Sequence, residues 1–418
     1  MKFCNTTLGD ISVNNKGNYG IAVPAVSYNH DLYRYLRITD ILDDGTVSNS
    51  NIVSVDDKDA SKYLLRENDI VFARTGASTG RNYFYNSLDG ELVYAGYLIK
   101  FTINEKVVNP IFIKYYCRSS KYWSWVASFN SGSTRGNINA QVYSSMPIKL
   151  PSREQQDFLA EVLSTIDSKI RINKKINDNL EEQAKTIFYE WMHNFSQNTC
   201  SNMISSEFGK IPQEFSLNFV GKLPITITDY VANGSFASLK ENVKLYQNPN
   251  FAYFIRNTDL KSDKFNVYVD KHSYEFLDKS KLFGNEIIIS NVGDVGSVFL
   301  CPKLDKPMTL GNNIIMIRPR NTELTYYLYM WFKWFYGQEL IQRIKSGSVQ
   351  AKFNKTDFKS LPIYLPPQSL LRQFNSIINP MFERIKTSNA ESNNLVSIRN
   401  FLLPKLMSGE IDVSNIKI

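Results

Sequence analysis

Two stretches of this 418-residue chain put arginines, hydroxyls and glycines close enough together to receive an anion. Arg74-Thr75-Gly76-Ala77-Ser78-Thr79-Gly80-Arg81 is a glycine-punctuated turn with an arginine at each end. Glycine accepts positive φ, so the stretch is either a plain hairpin tip or a loop whose backbone can approach a phosphate. In the second reading Arg74 and Arg81 reach phosphates or guanine edges, and Thr75 and Ser78 add hydroxyls. A polar loop at 130–137 offers Ser133, Thr134, Arg135 and Asn137, and another at 346–355 offers Ser348, Gln350, Lys352 and Lys355. A second glycine turn, Asn291-Val292-Gly293-Asp294-Val295-Gly296, opens on Asn291. These thirteen side chains are the candidate DNA contacts: four on the first turn, Asn291 on the second, and eight on the two loops.

Residue types that would carry catalysis are scattered. His30, His193 and His272 stand alone, and no GxxxxGK[ST] cradle for ATP is present. Asn248-Pro249-Asn250-Phe251 is distantly similar to the Asn-Pro-Pro-Tyr/Phe loop of adenine methyltransferases. It lacks the second proline, and no glycine-rich cofactor fingerprint accompanies it, so it reads as a turn. Cys4, Cys117, Cys200 and Cys301 lie far apart without a CxxC, which predicts no metal site and no disulfide framework. A net charge of +8 and a pI near 9.0 favour a polyanionic partner. The polar start and the shortness of every apolar stretch predict a cytoplasmic protein that does not enter a membrane.

The elements that position these loops are arranged twice. Residues 1–150 read as mixed α/β, with strands at Asp69-Ile70-Val71-Phe72-Ala73 and from Glu91 to Ile103, then an aromatic helix opened by Asn109-Pro110. A long helical run over 151–195 follows, with apolar residues alternating at steps of four and three: Leu159, Leu163, Ile166, Ile170, Leu180, Ala184, Ile187 and Trp191. Asn173 and Asn177 fill the two remaining seam positions. A mean step of about 3.5 is the seam of a coiled coil. Adding 215 to each number gives Phe374, Ile378, Met381, Ile385, Ser388, Ser392, Leu395, Arg399, Leu402 and Leu406, a second seam with a polar pair in the same place. Arg37-Ile38-Thr39-Asp40 likewise returns as Arg256-Asn257-Thr258-Asp259, and Asn68-Asp69 as Asn285-Glu286. The expected boundaries are 1–150, 151–195, 196–366, 367–407 and a tail at 408–418. A fixed offset marks an internal duplication. The fold class is therefore α+β: two pseudo-repeated mixed α/β domains joined by two long helices that form an antiparallel coiled coil.

The antiparallel sense follows because the second globule spans the gap between the helices, and a globule's chain ends usually lie close together. Asn173 and Asn177 would then face Ser388 and Ser392 as register-setting polar pairs. Some 40 helical residues predict a rod on the order of 60 Å. Two unlike heads on a spacer suit a bipartite duplex target, whose grooves recur at about 34–36 Å.

Across nearly the whole chain this order is similar to the specificity subunits of type I restriction-modification systems. Pro147-Ile148-Lys149-Leu150-Pro151-Ser152-Arg153-Glu154-Gln155-Gln156 resembles that family's P-x-x-x-P-x-x-E-Q approach to its conserved helix. The copy from Pro362 to Pro367, followed by Gln373, is looser. Phe401-Leu402-Leu403-Pro404-Lys405-Leu406-Met407-Ser408-Gly409-Glu410-Ile411 resembles its "LLpkLlsGei" ending. The resemblance implies two target-recognition domains that bind double-stranded DNA. It also implies helices that dock two methyltransferase subunits, and motor-nuclease subunits that join for cleavage. S-adenosylmethionine, ATP and Mg would sit on those partners, with no cofactor on this chain. A free-standing methyltransferase, or a DNA-binding scaffold without such partners, would be the alternative.

Overall fold

The computed structural model describes residues 2–129, 136–197, 202–334, 336–347 and 350–414. The chain forms two compact units, residues 1–174 with 389–418, and residues 175–388.

In the first unit the central strands β1 (Asp69–Ala73) and β2 (Leu98–Thr102) pair antiparallel, with Asn18–Tyr19 and Asn82–Phe84 at the edges. Side chains alternate across a strand, so one face carries Ile70, Phe72, Ile99 and Phe101 and the other Val71, Ala73 and Leu98. The first face packs on the aromatic helices Pro110–Tyr116 and Ser120–Ala127. The second packs on Leu36, Leu92 and Tyr94 of another four-stranded sheet, in which Tyr33–Leu36 and Leu92–Tyr94 run parallel. Both faces being covered explains why all five residues of β1 are buried.

The strand expected from Glu91 to Ile103 is two strands, Leu92–Tyr94 and β2, belonging to different sheets. The break falls at Gly96, where a Cβ would lie 3.1 Å from Ala22 Cβ and the chain turns through a Leu98 N–H bond to Ala95 O of 2.8 Å. An unbroken apolar run hides a sheet switch of this kind.

The second unit repeats the plan. Strands β3 (Ile287–Ser290) and β4 (Ile314–Pro319) are central, flanked by Val298–Leu300 and Ile225–Asp229, and a second sheet again holds a parallel pair, Ala252–Ile255 with Met308–Leu310. The buried acid at the foot of the central strand is also repeated. Asp69 accepts from Lys100 Nζ at 3.0 Å and Thr102 Oγ1 at 2.5 Å, and Glu286 accepts from Arg318 Nη2 at 2.9 Å and the Gly284 N–H at 2.8 Å. Asn68 and Asn285 before them hold φ of 65° and 69°. Arg37 and Arg256 each clamp the aspartate three residues on through Nη2, at 2.8 and 2.6 Å. The Arg-x-Thr-Asp echo is thus the same fork built twice, closing the first turn after a strand.

Two long helices, α1 (Arg153–Met192) and α2 (Gln368–Ser408), contribute to both units. Within the first unit Leu159 and Leu163 share a core with Leu406 and Met407, while Asn173, fully buried, donates to Ser392 Oγ at 3.2 Å and Glu391 Oε2 at 2.8 Å. Within the second, Phe188 and Trp191 meet Phe374, and Ala184, Ile378 and Ile385 join the same core. In each unit, residues late in one helix meet residues early in the other, so the helices run antiparallel. Ile166, Ile170, Leu180, Ile187, Met381, Leu395 and Leu402 are only half-buried, whereas Phe188 and Phe382, one step off the seam, are buried. Each helix packs against its globule as well as its neighbour, which widens the apolar face beyond a coiled-coil stripe. Asn177 and Ser388 lie in the second unit, Ser388 with no exposure. Pro380 lies on an exposed position and does not end α2.

Candidate nucleic-acid interface

In each unit one central strand, β1 or β3, ends in a glycine turn, and a backbone ladder fixes that turn to a polar loop. At the end of β1, Arg74 N–H donates to Tyr97 O at 3.1 Å and Arg74 O accepts from Ile138 N–H at 2.9 Å. Thr75 bridges to Asn137, and Thr79 Oγ1 donates to Gly76 O at 2.8 Å and to Gly136 O at 3.0 Å. In the second unit Asn291 N–H donates to Asn313 O at 3.1 Å, and Asn291 O accepts from Phe353 N–H at 3.0 Å. Val292 bridges to Lys352 there. The glycines correspond as well. Gly76 and Gly293 both hold φ of 77°, with open space where a Cβ would stand. Gly80 and Gly296 hold 87° and 95° and are packed, against Val126 and Gln338 respectively.

The candidate side chains divide by what holds them. Arg74 is half-buried, its guanidinium lies 5.1 Å from the centre of the Tyr19 ring, and its Nε is buried without a hydrogen-bond partner. Arg81 is tied to Asp43 Oδ1 at 2.8 Å and to Ile41 O at 3.3 Å. Thr75 is half-buried, Ser78 is buried and Asn137 is exposed. Asn291 is turned inward: its Nδ2 donates to Phe353 O at 3.3 Å and its Oδ1 is buried unpartnered. Gln350 and Lys352 are exposed, and Lys355 pairs with Asp229 at 2.8 Å beside the helix cap Asn354. Ser133, Thr134, Arg135 and Ser348 lie outside the described residues.

Two aromatic side chains at the first turn escaped the sequence reading. Tyr19, 42% exposed, accepts from Ala140 N–H at 3.1 Å, and Tyr97, 62% exposed, follows Gly96. Tyr97 carried a usable signal, a large aromatic beside a turn glycine; Tyr19 lies 55 residues before Arg74 and carried none. The helix-entry motif also gains a physical role. Gln156 is buried, accepts from Asn109 N–H at 3.0 Å and donates to Pro151 O at 2.9 Å, tying α1 to the aromatic helix. In the second copy Asn375 donates to Glu323 O at 2.7 Å, so an asparagine two positions past Gln373 makes the corresponding tie.

A cavity of about 290 Å³ in the second unit is lined by Phe188, Tyr189, His193, Trp331, Trp334 and Tyr364, and burial lowers the His193 pKa. Among the described residues no three His, Cys, Asp or Glu side chains are grouped to hold a metal, and no helix is long and apolar enough to cross a membrane.

A family model described as the type I restriction modification DNA specificity domain matches residues 4–182 and again residues 207–395. The chain belongs to this family. Its relatives include the type I restriction enzyme HindI specificity subunit of Haemophilus influenzae, 22% identical over 413 residues, covering 84% of this chain and 88% of the relative. The MjaIX specificity subunit of Methanocaldococcus jannaschii is 26% identical over 311 residues, covering 72% and 69%. The crystal structure of the type I restriction-modification system S subunit from M. genitalium shares the fold, with a TM-score of 0.54 over 97% of this chain and 96% of that one at 16% identity. Each family match takes in one globule and most of one long helix, whereas each compact unit pairs a globule with parts of both helices. The repeat that duplicated is therefore not the unit that packs.

Proposed function

We propose that this chain is the non-catalytic DNA-recognition subunit of a type I restriction-modification complex, working in the cytoplasm. It binds an asymmetric bipartite duplex, one half-site per unit, and docks two methyltransferase subunits that modify adenine, with motor-nuclease subunits for cleavage. S-adenosylmethionine, ATP and Mg belong to those partners. The observation that carries this reading is the loop assembly built twice: a glycine turn laddered to a polar loop at the ends of β1 and β3, with matching backbone bonds and different side chains. A shared backbone suits two copies of one task, and different side chains suit two different half-sites.

The test is to express the full chain with its methyltransferase subunits and map modified adenines across a genome. The expected outcome is one motif of two unlike halves separated by unread bases. A continuous motif would overturn the reading. So would stoichiometric S-adenosylmethionine binding by the isolated chain, which would favour a free-standing methyltransferase.

A further inference from the structure

We propose that Arg74 reads a guanine, so the half-site bound by the first unit contains a G·C pair contacted from this one side chain. The inference rests on the DNA-recognition reading above and adds the residue and the base.

Three features single Arg74 out. Its main chain is fixed on both sides, by bonds to Tyr97 O and from Ile138 N–H, at the end of a fully buried strand. Its guanidinium rests over the Tyr19 ring, and that ring is pinned through its own hydroxyl by the Ala140 N–H. Among the described residues it has no carboxylate partner, whereas Arg37, Arg81, Arg118, Arg256, Arg318 and Arg399 each pair with an acid. Arg74 makes no hydrogen bond or ion pair with its guanidinium among the described residues, and its Nε is buried unsatisfied. A half-buried cation left without an acceptor costs stability, so the site is completed by a ligand that brings acceptors.

The orientation decides which acceptor. With Nε enclosed, the open edge of the fork is the terminal Nη1–Nη2 pair. That edge makes the paired bonds to O6 and N7 of guanine in a major groove, and the match needs the guanidinium plane held fixed. The Tyr19 ring and the locked main chain supply that fixity. A phosphate accepts on all sides and can be held by a mobile point charge such as a lysine ammonium, so it does not require the plane to be fixed in advance. The second unit does not repeat the device, because Asn291 at this place turns its amide inward to Phe353 O. The two heads thus differ at an equivalent backbone position, as readers of unlike halves must.

The test maps methylated adenines for the complete methyltransferase complex carrying wild-type chain, Arg74→Ala or Arg74→Lys. Wild type should give a bipartite motif with a G·C pair in one half. Arg74→Ala should lose discrimination at that one position, by about 5- to 140-fold in preference for the cognate base, and leave the other half unchanged. Arg74→Lys keeps the charge without the fork and should behave like alanine at that base. If alanine prevents folding, the lysine variant decides alone. Wild-type specificity in Arg74→Lys would overturn the proposal in favour of a phosphate contact, and so would uniformly weaker binding to all sequences with a flatter salt dependence. An unchanged motif in Arg74→Ala would overturn it too. Absence of any bipartite wild-type motif would instead refute the recognition function itself.

Discussion

Asp167, on α1, gathers four donors in the first unit: Tyr115 Oη at 2.7 Å, Arg399 Nη1 at 2.8 Å, and Lys114 Nζ and Arg118 Nη1 each at 3.4 Å. Burial alone would raise its pKa, but Lys114, Arg399 and Arg118 outweigh that and hold it below the usual carboxylate range. Lys114 is moved the other way, down to about 8, by burial and then by Arg118. Asp167→Asn keeps the shape and removes the carboxylate that these cations share. At neutral pH it should cost about 3 kcal/mol in denaturant unfolding, toward the lower end for a broken buried pair. The pH signs are opposite for the two groups. The Asp167 contribution is present above the ordinary carboxylate value and fades as pH falls through its lowered one. Lys114 is charged in both states below about 8; above that, up to the ordinary lysine value, the folded protein binds fewer protons and stability rises with pH. Lys114→Met should abolish that alkaline rise in unfolding measured from pH 7 to 10, and a rise that persists would assign it to another group. Arg399 was the one seam residue out of pattern with its apolar counterpart Ala184. Its partner lies 232 residues away, so no local spacing could announce the pairing.

At the scale of elements, the duplication was legible because the turns and strand ends keep their register: Asn68 with Asn285, Gly76 with Gly293, Arg37 with Arg256. Each has a backbone reason to persist, a positive φ or a fork closing a turn. What the sequence hid was tertiary. The switch of sheets at Gly96, the inward amide of Asn291 and the burial of Phe188 and Phe382 depend on what each segment meets across the core. The glycine turn shows how position decides a glycine's role. Alanine at Gly76 meets open space and is penalised only for its φ of 77°, a cost of about 1 kcal/mol. Alanine at Gly80 has the same kind of penalty and also drives its Cβ to 2.5 Å from Val126 Cγ1. Gly80→Ala should therefore destabilise the unit by about 1–3 kcal/mol more than Gly76→Ala, read as the difference between their urea midpoints. Equal midpoints would mean that Val126 moves aside freely.

For the whole molecule, the two units have separate cores, and each carries its own two larger sheets and its own loop assembly. Reading one half-site should thus be transferable without touching the other. Exchanging residues 1–150 for those of a relative replaces the first unit's sheets, turn and polar loop but leaves α1 and the C-terminal return in place. The transplanted globule then has to meet what remains. Gln156 awaits a backbone N–H where Asn109 stood, Asp167 awaits the cations of Lys114 and Arg118, and Leu406, Met407 and Val413 await an apolar face. A donor that supplies those groups should give a folded chimera whose methylated motif changes in one half and keeps the other base for base. A donor lacking those two cations leaves Asp167 with Arg399 as its one charged partner where it had three, and should give a chimera less stable than one that supplies them. A folded chimera altered in both halves would mean that the units do not read independently, and the separate cores would then have no functional counterpart.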